Sequence, residues 1–181
     1  MNYLEAIVEL KNIVDPNFIK RIISLIDKKA KNPLPISNQV DKEVRNVKGY
    51  SLNFDTPTNL FYWNYIKTEI ERLFVFYKSK FPMINATKIH QIDLLKYTSG
   101  GKYNIHIDYA RELPRNLSVI INLNGDYEGG ELSFTDQTGK EIKSLKLNKG
   151  SVVFFPSNFL YPHLIKPIKK GKRYSIAAWL Q

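Results

Sequence analysis

The sequence predicts a mainly β chain with two N-terminal helices, in which eight short strands form a barrel or sandwich packed against those helices. Three observations predict it. Apolar residues recur at helical spacing in two windows of the first half; from about residue 88, short runs rich in Ile, Val, Leu, Tyr and Phe alternate with turn residues; and no internal repeat or low-complexity linker separates the halves. The 181 residues are therefore expected to form one domain, with 1–87 contributing an opening strand and support helices and 88–181 the β core.

Composition narrows the chemistry. Hydrophobic residues at 43% and charged residues at 24% are those of a globular chain. The absence of cysteine excludes thiolate nucleophiles, disulfides, Fe–S clusters and cysteine-bearing zinc sites, so any metal is held by nitrogen and oxygen. No apolar run approaches the ~18 residues of a membrane span, and Glu5 interrupts the stretch a signal peptide would need. The expectation is a cytoplasmic chain without membrane contact. A net charge of +10 admits an anionic partner, nucleic acid included, although the runs Lys28, Lys29, Lys31 and Lys166, Lys169, Lys170, Lys172 read first as solvated surface.

In chain order, residues 6–13 read as a strand, and Asp15-Pro16 caps a helix to about residue 30 whose stripe is Phe18, Ile19, Ile22, Ile23 and Ile26. Thr56-Pro57 caps a second helix, with Leu60, Trp63, Ile66, Ile70, Leu73, Phe74 and Tyr77 inward, that stops at Phe81-Pro82. Between them, 31–50 reads as a loop that could cover something, and 109–115 is a second candidate cover. The strands are expected at 88–97, 103–108, 116–124, 130–135, 141–147, 151–155, 162–168 and 173–180, those apolar on both faces lying between a barrel interior and the helices.

Three histidines occur. In a strand, the period of two points His106 and Asp108 to one face, making a two-ligand clamp, and His163 on a later strand can supply the third donor. Two imidazoles and a carboxylate leave coordination positions open, as in non-haem Fe(II) oxygenases. A hairpin pairing Pro167 with Arg173 would turn that guanidinium to the same side, where it needs an anion; otherwise Arg173 is a solvated partner of Glu141 or Asp136. His90 has no ligand at metal spacing and reads as an ordinary strand histidine, while Gly129-Gly130 marks a close backbone approach rather than a phosphate loop.

The segment Leu94–Gln181 resembles the catalytic core of the Fe(II)/2-oxoglutarate-dependent dioxygenases, and within them the prolyl 4-hydroxylase-like group. The resemblance is carried by YTSGGKYNIHID at 97–108, YEGGEL at 127–132, KGSVVFFP at 149–156, His163, GKRYS at 171–175 and Trp179. It implies a double-stranded β-helix, or jelly-roll, core supported by the two helices. It also implies iron at His106, Asp108 and His163, with 2-oxoglutarate anchored by Arg173 and contacted by Tyr97. Asn122 and Trp179 match residues lining that pocket; Tyr103 matches a second tyrosine of the pattern, yet strand parity points it away from His106 unless a bulge intervenes. The implied activity uses Fe(II), 2-oxoglutarate and O₂, with ascorbate as reductant, to hydroxylate a C–H bond in a proline-containing protein or peptide, acidic ones included. Other side chains or a nucleic acid are alternative acceptors. A cupin-type barrel that merely holds a small anion is the non-enzyme reading, against which four intact site residues speak.

Overall fold

A computed structural model describes residues 2–35, 39–109 and 114–181. A short 3₁₀ turn at Tyr3–Ala6 precedes strand β1 (Val8–Leu10), so the opening strand expected at 6–13 is only three residues long. Helix α1 (Pro16–Lys29) begins where the Asp15 carboxylate accepts from the Phe18 amide at 2.7 Å, with Pro16 filling the first helical position, where no amide donor is needed. The span read as a loop instead carries β2 (Asn32–Pro33), β3 (Arg45–Asn46) and β4 (Lys48–Ser51). Proline and polar residues hid these pieces because each is too short to show a period. Helix α2 (Pro57–Lys80) is capped by Thr56, whose hydroxyl accepts from the Asn59 amide. Of the side chains expected inward on α2, Leu60 is exposed and Phe74 half-buried, because the helix meets the sheet along a narrower stripe.

The β region follows as β5 (Ile89–Tyr97), β6 (Lys102–His106), β7 (Leu117–Asn122), β8 (Tyr127–Gly129), β9 (Leu132–Thr135), β10 (Glu141–Leu145), β11 (Val152–Pro156), β12 (His163–Ile165), β13 (Ile168–Gly171) and β14 (Arg173–Leu180). β8 and β13 are additional to the eight expected strands, β13 overlapping the expected run 162–168 only at Ile168. A seven-stranded antiparallel sheet runs β1-β11-β7-β14-β5-β4-β2, a second runs β10-β9-β12-β6-β3, and β13 pairs with β8. These are the facing sheets of a jelly roll.

Strand parity divides the core. Ile92, Leu94, Val119, Ile121, Val152, Phe154, Ile176 and Ala178 face outward and pack on Phe18, Ile22 and Ile26 of α1 and on Trp63, Ile66, Ile70 and Leu73 of α2. Their neighbours of opposite parity, Leu95, Tyr97, Ile120, Val153, Phe155, Ala177 and Trp179, face inward against Leu132, Phe134 and Ile165 of the second sheet. Burial on both faces explains why β7, β11 and β14 read as nearly continuous apolar runs. No helix is long and apolar enough to cross a membrane among the described residues.

The expected hairpin between Pro167 and Arg173 does not form. Gly171, at φ +81°, turns the chain so that β13 lies on β8, while Arg173 enters β14 opposite Tyr97 of β5. The close approach read at Gly129-Gly130 is real: both have positive φ, a Cβ on Gly129 would strike the Pro167 carbonyl oxygen, and one on Gly130 would lie 3.2 Å from Arg173 Cδ. Gly129→Ala is therefore expected to cost about 1–3 kcal/mol, because backbone cannot yield as a flexible side chain does. Gly125→Ala, whose nearest neighbour would be 3.9 Å away, is the control. Equal melting temperatures for the two variants would contradict this.

Candidate metal centre

β6 and β12 lie side by side with His106 opposite His163, so the long separation in sequence becomes a cross-strand pair. Asp108 follows two residues beyond the end of β6 and is buried. Its carboxylate oxygens lie 3.6 Å from His106 Nε2 and 3.4 Å from His163 Nε2, and one donor atom from each of the three residues falls within 4.8 Å of the others. The cluster of donors inferred from the sequence therefore exists in space. It is the one such group among the described residues.

The tautomers follow from the neighbours. His106 Nδ1 lies 2.8 Å from the Asn104 carbonyl and His163 Nδ1 3.0 Å from the Tyr161 carbonyl; a carbonyl only accepts, so Nδ1 carries the proton in both rings. Each Nε2 lone pair then faces the carboxylate and the space between them. The Ser118 hydroxyl donates to Asp108 at 2.7 Å and is itself 2.7 Å from the Ser157 hydroxyl, while Arg115 Nη1 donates to the Asp108 carbonyl at 3.3 Å. Such outer contacts hold donors in place for a cation.

Burial works to push the Asp108 carboxyl up, but His163, His106 and the Ser118 hydroxyl outweigh it and hold the group well below the usual carboxylate range. Burial, reinforced by His106, pushes His163 down to about 4 despite Asp108, so the ring is neutral and ready to ligate. The unfolded chain protonates this histidine near 6.5 and the folded chain only near 4, so between those values the unfolded state binds the extra proton. The metal-free protein is accordingly expected to lose stability as pH falls through this window, and His163→Gln to flatten that slope. Urea melts of both proteins between those pH values check it; parallel slopes would remove His163 as the cause.

Tyr103 resolves by a bulge. Between the pairs His163↔His106 and Ile165↔Tyr103, β6 spans one residue more than β12, so Asn104 and Ile105 both stay outside and Tyr103 turns inward to stack on His106, centroids 3.6 Å apart. Arg45, brought by β3 opposite Tyr103, lies 4.8 Å from the centre of the Tyr103 ring. The segment read as a cover is thus tied into both sheets, through β2 and β4 to the first and β3 to the second, and contributes a cavity-lining guanidinium. The other candidate cover, 109–115, falls mostly outside the described residues.

At the far end of the same cavity sits Arg173. It is 1% exposed, which excludes a solvated pairing with Asp136 or Glu141; the latter pairs with Lys166 at 2.7 Å. Its guanidinium carbon lies 5.4 Å from the Tyr97 ring, and Asn124 fixes the backbone on both sides by donating to the Lys172 carbonyl and accepting from the Tyr174 amide. Arg173 Nε and Nη2 have no hydrogen-bond partner, nor has the buried Ser175 hydroxyl two residues on along the same face. Burial raises the Tyr97 phenol against the pull of Arg173, so it stays a neutral hydroxyl. The inward row of β14, Arg173, Ser175, Ala177 and Trp179, lines the cavity, with Arg115 stacked 4.0 Å over Trp179.

Asn122 is placed differently. Its amide donates to the carbonyls of Asn124, Leu147 and Asn148, its oxygen accepts from Tyr127, and it does not line the cavity. It braces a phenol beside Gly130 and Arg173 instead. His90 lies away from the cluster, on the α2 side near Trp63. Ser118, Arg45 and Arg115 were not singled out by sequence reasoning, and Tyr127 and Ser175 stood in the motifs YEGGEL and GKRYS without a role of their own; parity on β7 and β14 was the available signal for the two serines, and nothing in the sequence marked Arg45.

The donor set and the orphaned guanidinium fit iron and 2-oxoglutarate: two imidazoles with a carboxylate suit Fe(II), and a buried arginine with two unpartnered nitrogens suits a dicarboxylate. The comparisons agree. Residues 92–181 match the model of the 2OG-Fe(II) oxygenase superfamily. A PKHD-type hydroxylase of Pseudoalteromonas atlantica is 33% identical over 104 residues, 52% of this chain and 44% of that protein. One of Pseudomonas fluorescens is 35% identical over 95 residues, 47% of this chain and 40% of its own. The aligned region thus spans less than half the length of either relative. A Pseudomonas putida prolyl-4-hydroxylase structure superposes with a TM-score of 0.78 at 16% identity, covering 97% of this chain and 92% of that one. A Trichoplax adhaerens prolyl hydroxylase, solved with a hypoxia inducible factor oxygen degradation domain peptide fragment, gives 0.81 at 18%, covering 99% and 86%. At such identities the likeness is one of fold. Through the strands of residues 92–181, this chain belongs to the 2OG-Fe(II) oxygenase superfamily.

Proposed function

We propose that the chain, folded as a single domain over 1–181, is a 2-oxoglutarate-dependent hydroxylase of the cytoplasm whose acceptor is a prolyl residue in a protein or peptide. The observation that carries the reading is one cavity that joins three convergent donors to a buried guanidinium whose Nε and Nη2 find no partner in the protein. When bound, Fe(II) with 2-oxoglutarate and O₂ supplies the oxidising power, converting 2-oxoglutarate to succinate and CO₂ as a C–H bond is hydroxylated; ascorbate keeps the metal reduced.

The protein's own part is placement and exclusion. His106, Asp108 and His163 hold the metal from one side, with both imidazoles fixed by backbone carbonyls. Arg173 receives the distal carboxylate of 2-oxoglutarate through its planar fork, with Ser175 and Tyr97 as hydroxyl donors beside it. Apolar walls from Leu95, Ile120, Leu132, Ile165 and Ala177 keep water from the reacting centre. Trp179 and Arg115, stacked at the Asp108 end, border the space where an acceptor approaches. Arg45 lines that space and Arg115 stacks on the Trp179 at its edge, two guanidinium groups that favour a peptide with carbonyls or acidic side chains near the acceptor residue.

The kinship with PKHD-type hydroxylases and the fold shared with prolyl hydroxylases support the acceptor class. The test is succinate formation from 2-oxoglutarate with Fe(II) and ascorbate against proline-containing peptides, with mass spectrometry for a gain of one oxygen. Succinate with peptide oxidation is the expected result. Succinate without peptide oxidation would keep the co-substrate and overturn the acceptor; no succinate under any condition would turn the reading to an anion-binding barrel.

A further inference from the structure

Helix α2 is apolar on two sides. Trp63, Ile66, Ile70, Leu73 and Tyr77 bury one against the seven-stranded sheet. The other leaves Leu60 44%, Phe61 55%, Val75 65% and Phe76 59% exposed. Single exposed apolar residues are ordinary, but large ones clustered at both ends of one helix face mark a surface that another molecule covers. At about 100° and 1.5 Å per residue, Phe61, Thr68 and Val75 fall within about 40° of one another along about 21 Å of helix. Phe61 and Val75 stand at equal distances on either side of Thr68.

We propose that this face is a homodimer interface, in which α2 pairs antiparallel with α2 of a second copy about a twofold axis at Thr68. The pattern is self-complementary in that register, as an isologous contact requires. Residue 68 − n of one copy comes level with 68 + n of the other, so Phe61 of each meets Val75 and Phe76 of its mate. On one flank Lys67 comes within two residues, about 3 Å of helix rise, of Glu71 of the second copy; within each helix these two already pair at 3.1 Å, so the four charges group across the axis. Leu60 on that flank comes over a groove of about 500 Å³ lined by Glu71, Phe74, Val75, Lys78, Ala86 and Leu180. On the opposite flank Arg72, paired with Glu69 at 2.8 Å in its own helix, comes within one residue of the level of Tyr65 of the mate, whose ring borders a second groove. A parallel pairing would instead set Lys67 beside Lys67 and Glu71 beside Glu71. Asn64 and Thr68, small and near the centre, let the helices approach. The face lies on the outer side of the sheet whose inner side carries Arg173, so the proposal stands independently of the proposed reaction and leaves the cavity of the metal centre open.

Sedimentation velocity of the whole chain from about 1 to about 200 μM is expected to show mass rising from 21.1 kDa toward about twice that value. Phe61→Glu and Val75→Glu should each weaken dimerisation at least about tenfold while leaving the fold intact, both sites being on the surface. Because the chain has no cysteine, Thr68→Cys on the axis should give a disulfide-linked dimer under mild oxidation. Ser79→Cys should not, since antiparallel pairing separates it from its own copy by about 33 Å. A monomer at every concentration, a Val75→Glu dimer as tight as the unsubstituted one, or equal cross-linking at the two cysteine positions would each overturn the proposal. So would a monomer that binds phosphatidylcholine vesicles and loses this with Val75→Glu, which would assign the face to a lipid surface.

Discussion

Replacing any one of His106, Asp108 or His163 by alanine is expected to abolish succinate formation, by at least about a thousandfold, and to weaken Fe(II) binding sharply while the fold survives. The physical reason is that three donors are the fewest that fix both affinity and direction. Two imidazoles, or one imidazole with a carboxylate, leave the cation free to choose its own geometry, and the co-substrate is then misplaced even when metal is bound. The three variants should differ in stability. Asp108→Ala takes the carboxylate from two imidazoles and leaves the Ser118 hydroxyl to Ser157 alone, whereas His106→Ala removes a ring that is stacked on Tyr103 and only half-buried. Metal titration followed spectroscopically, succinate assay and thermal melts on the same preparations separate these effects. A variant that binds iron and turns over as the parent does would remove its residue from the ligand set.

Arg173→Ala is expected to raise the KM for 2-oxoglutarate by about 10² to 10³ or more, because losing one member of a buried charge pair costs roughly 3–5 kcal/mol. Arg173→Lys should rise less, keeping the charge while losing the planar two-pronged fork. Fe(II) affinity should hardly move in either, since the guanidinium and the donor cluster occupy different ends of the cavity. The structure adds a second consequence. Arg173 is buried with two nitrogens unpartnered, so the parent protein without 2-oxoglutarate carries a desolvated charge and alanine relieves it. The alanine variant should therefore melt no lower than the parent when neither has co-substrate, and 2-oxoglutarate should raise the melting temperature of the parent alone. An alanine variant within a few-fold of the parent in KM would break the assignment.

The route from sequence to site was short where chemistry is carried by residue type and spacing. His106 and Asp108 are two apart, and both the strand period and the bend that actually follows β6 bring them to one side. Arg173 and Trp179 are six apart on a regular strand, and β14 keeps that parity along the cavity wall. Tyr103 shows the limit: parity alone turned it away, and only the extra residue of the β6 bulge, visible through pairing with β12, turns it onto His106. Asn122 shows another, since its face was readable but its hydrogen bonds to three carbonyls and to Tyr127 were not.

By itself, the sequence determined the two capped helices, the β-rich second half and the nitrogen and oxygen donors, because caps, periods and residue chemistry act over a few positions. The tertiary structure alone decided which strands are neighbours. That choice split the last hairpin at Gly171, bound Arg45 beside Tyr103 through a two-residue strand with no period to read, and set His163 opposite His106 across 57 positions of chain. Pairing between distant strands is fixed by how both sheet faces are buried at once, a property of the whole packed chain that no local window contains.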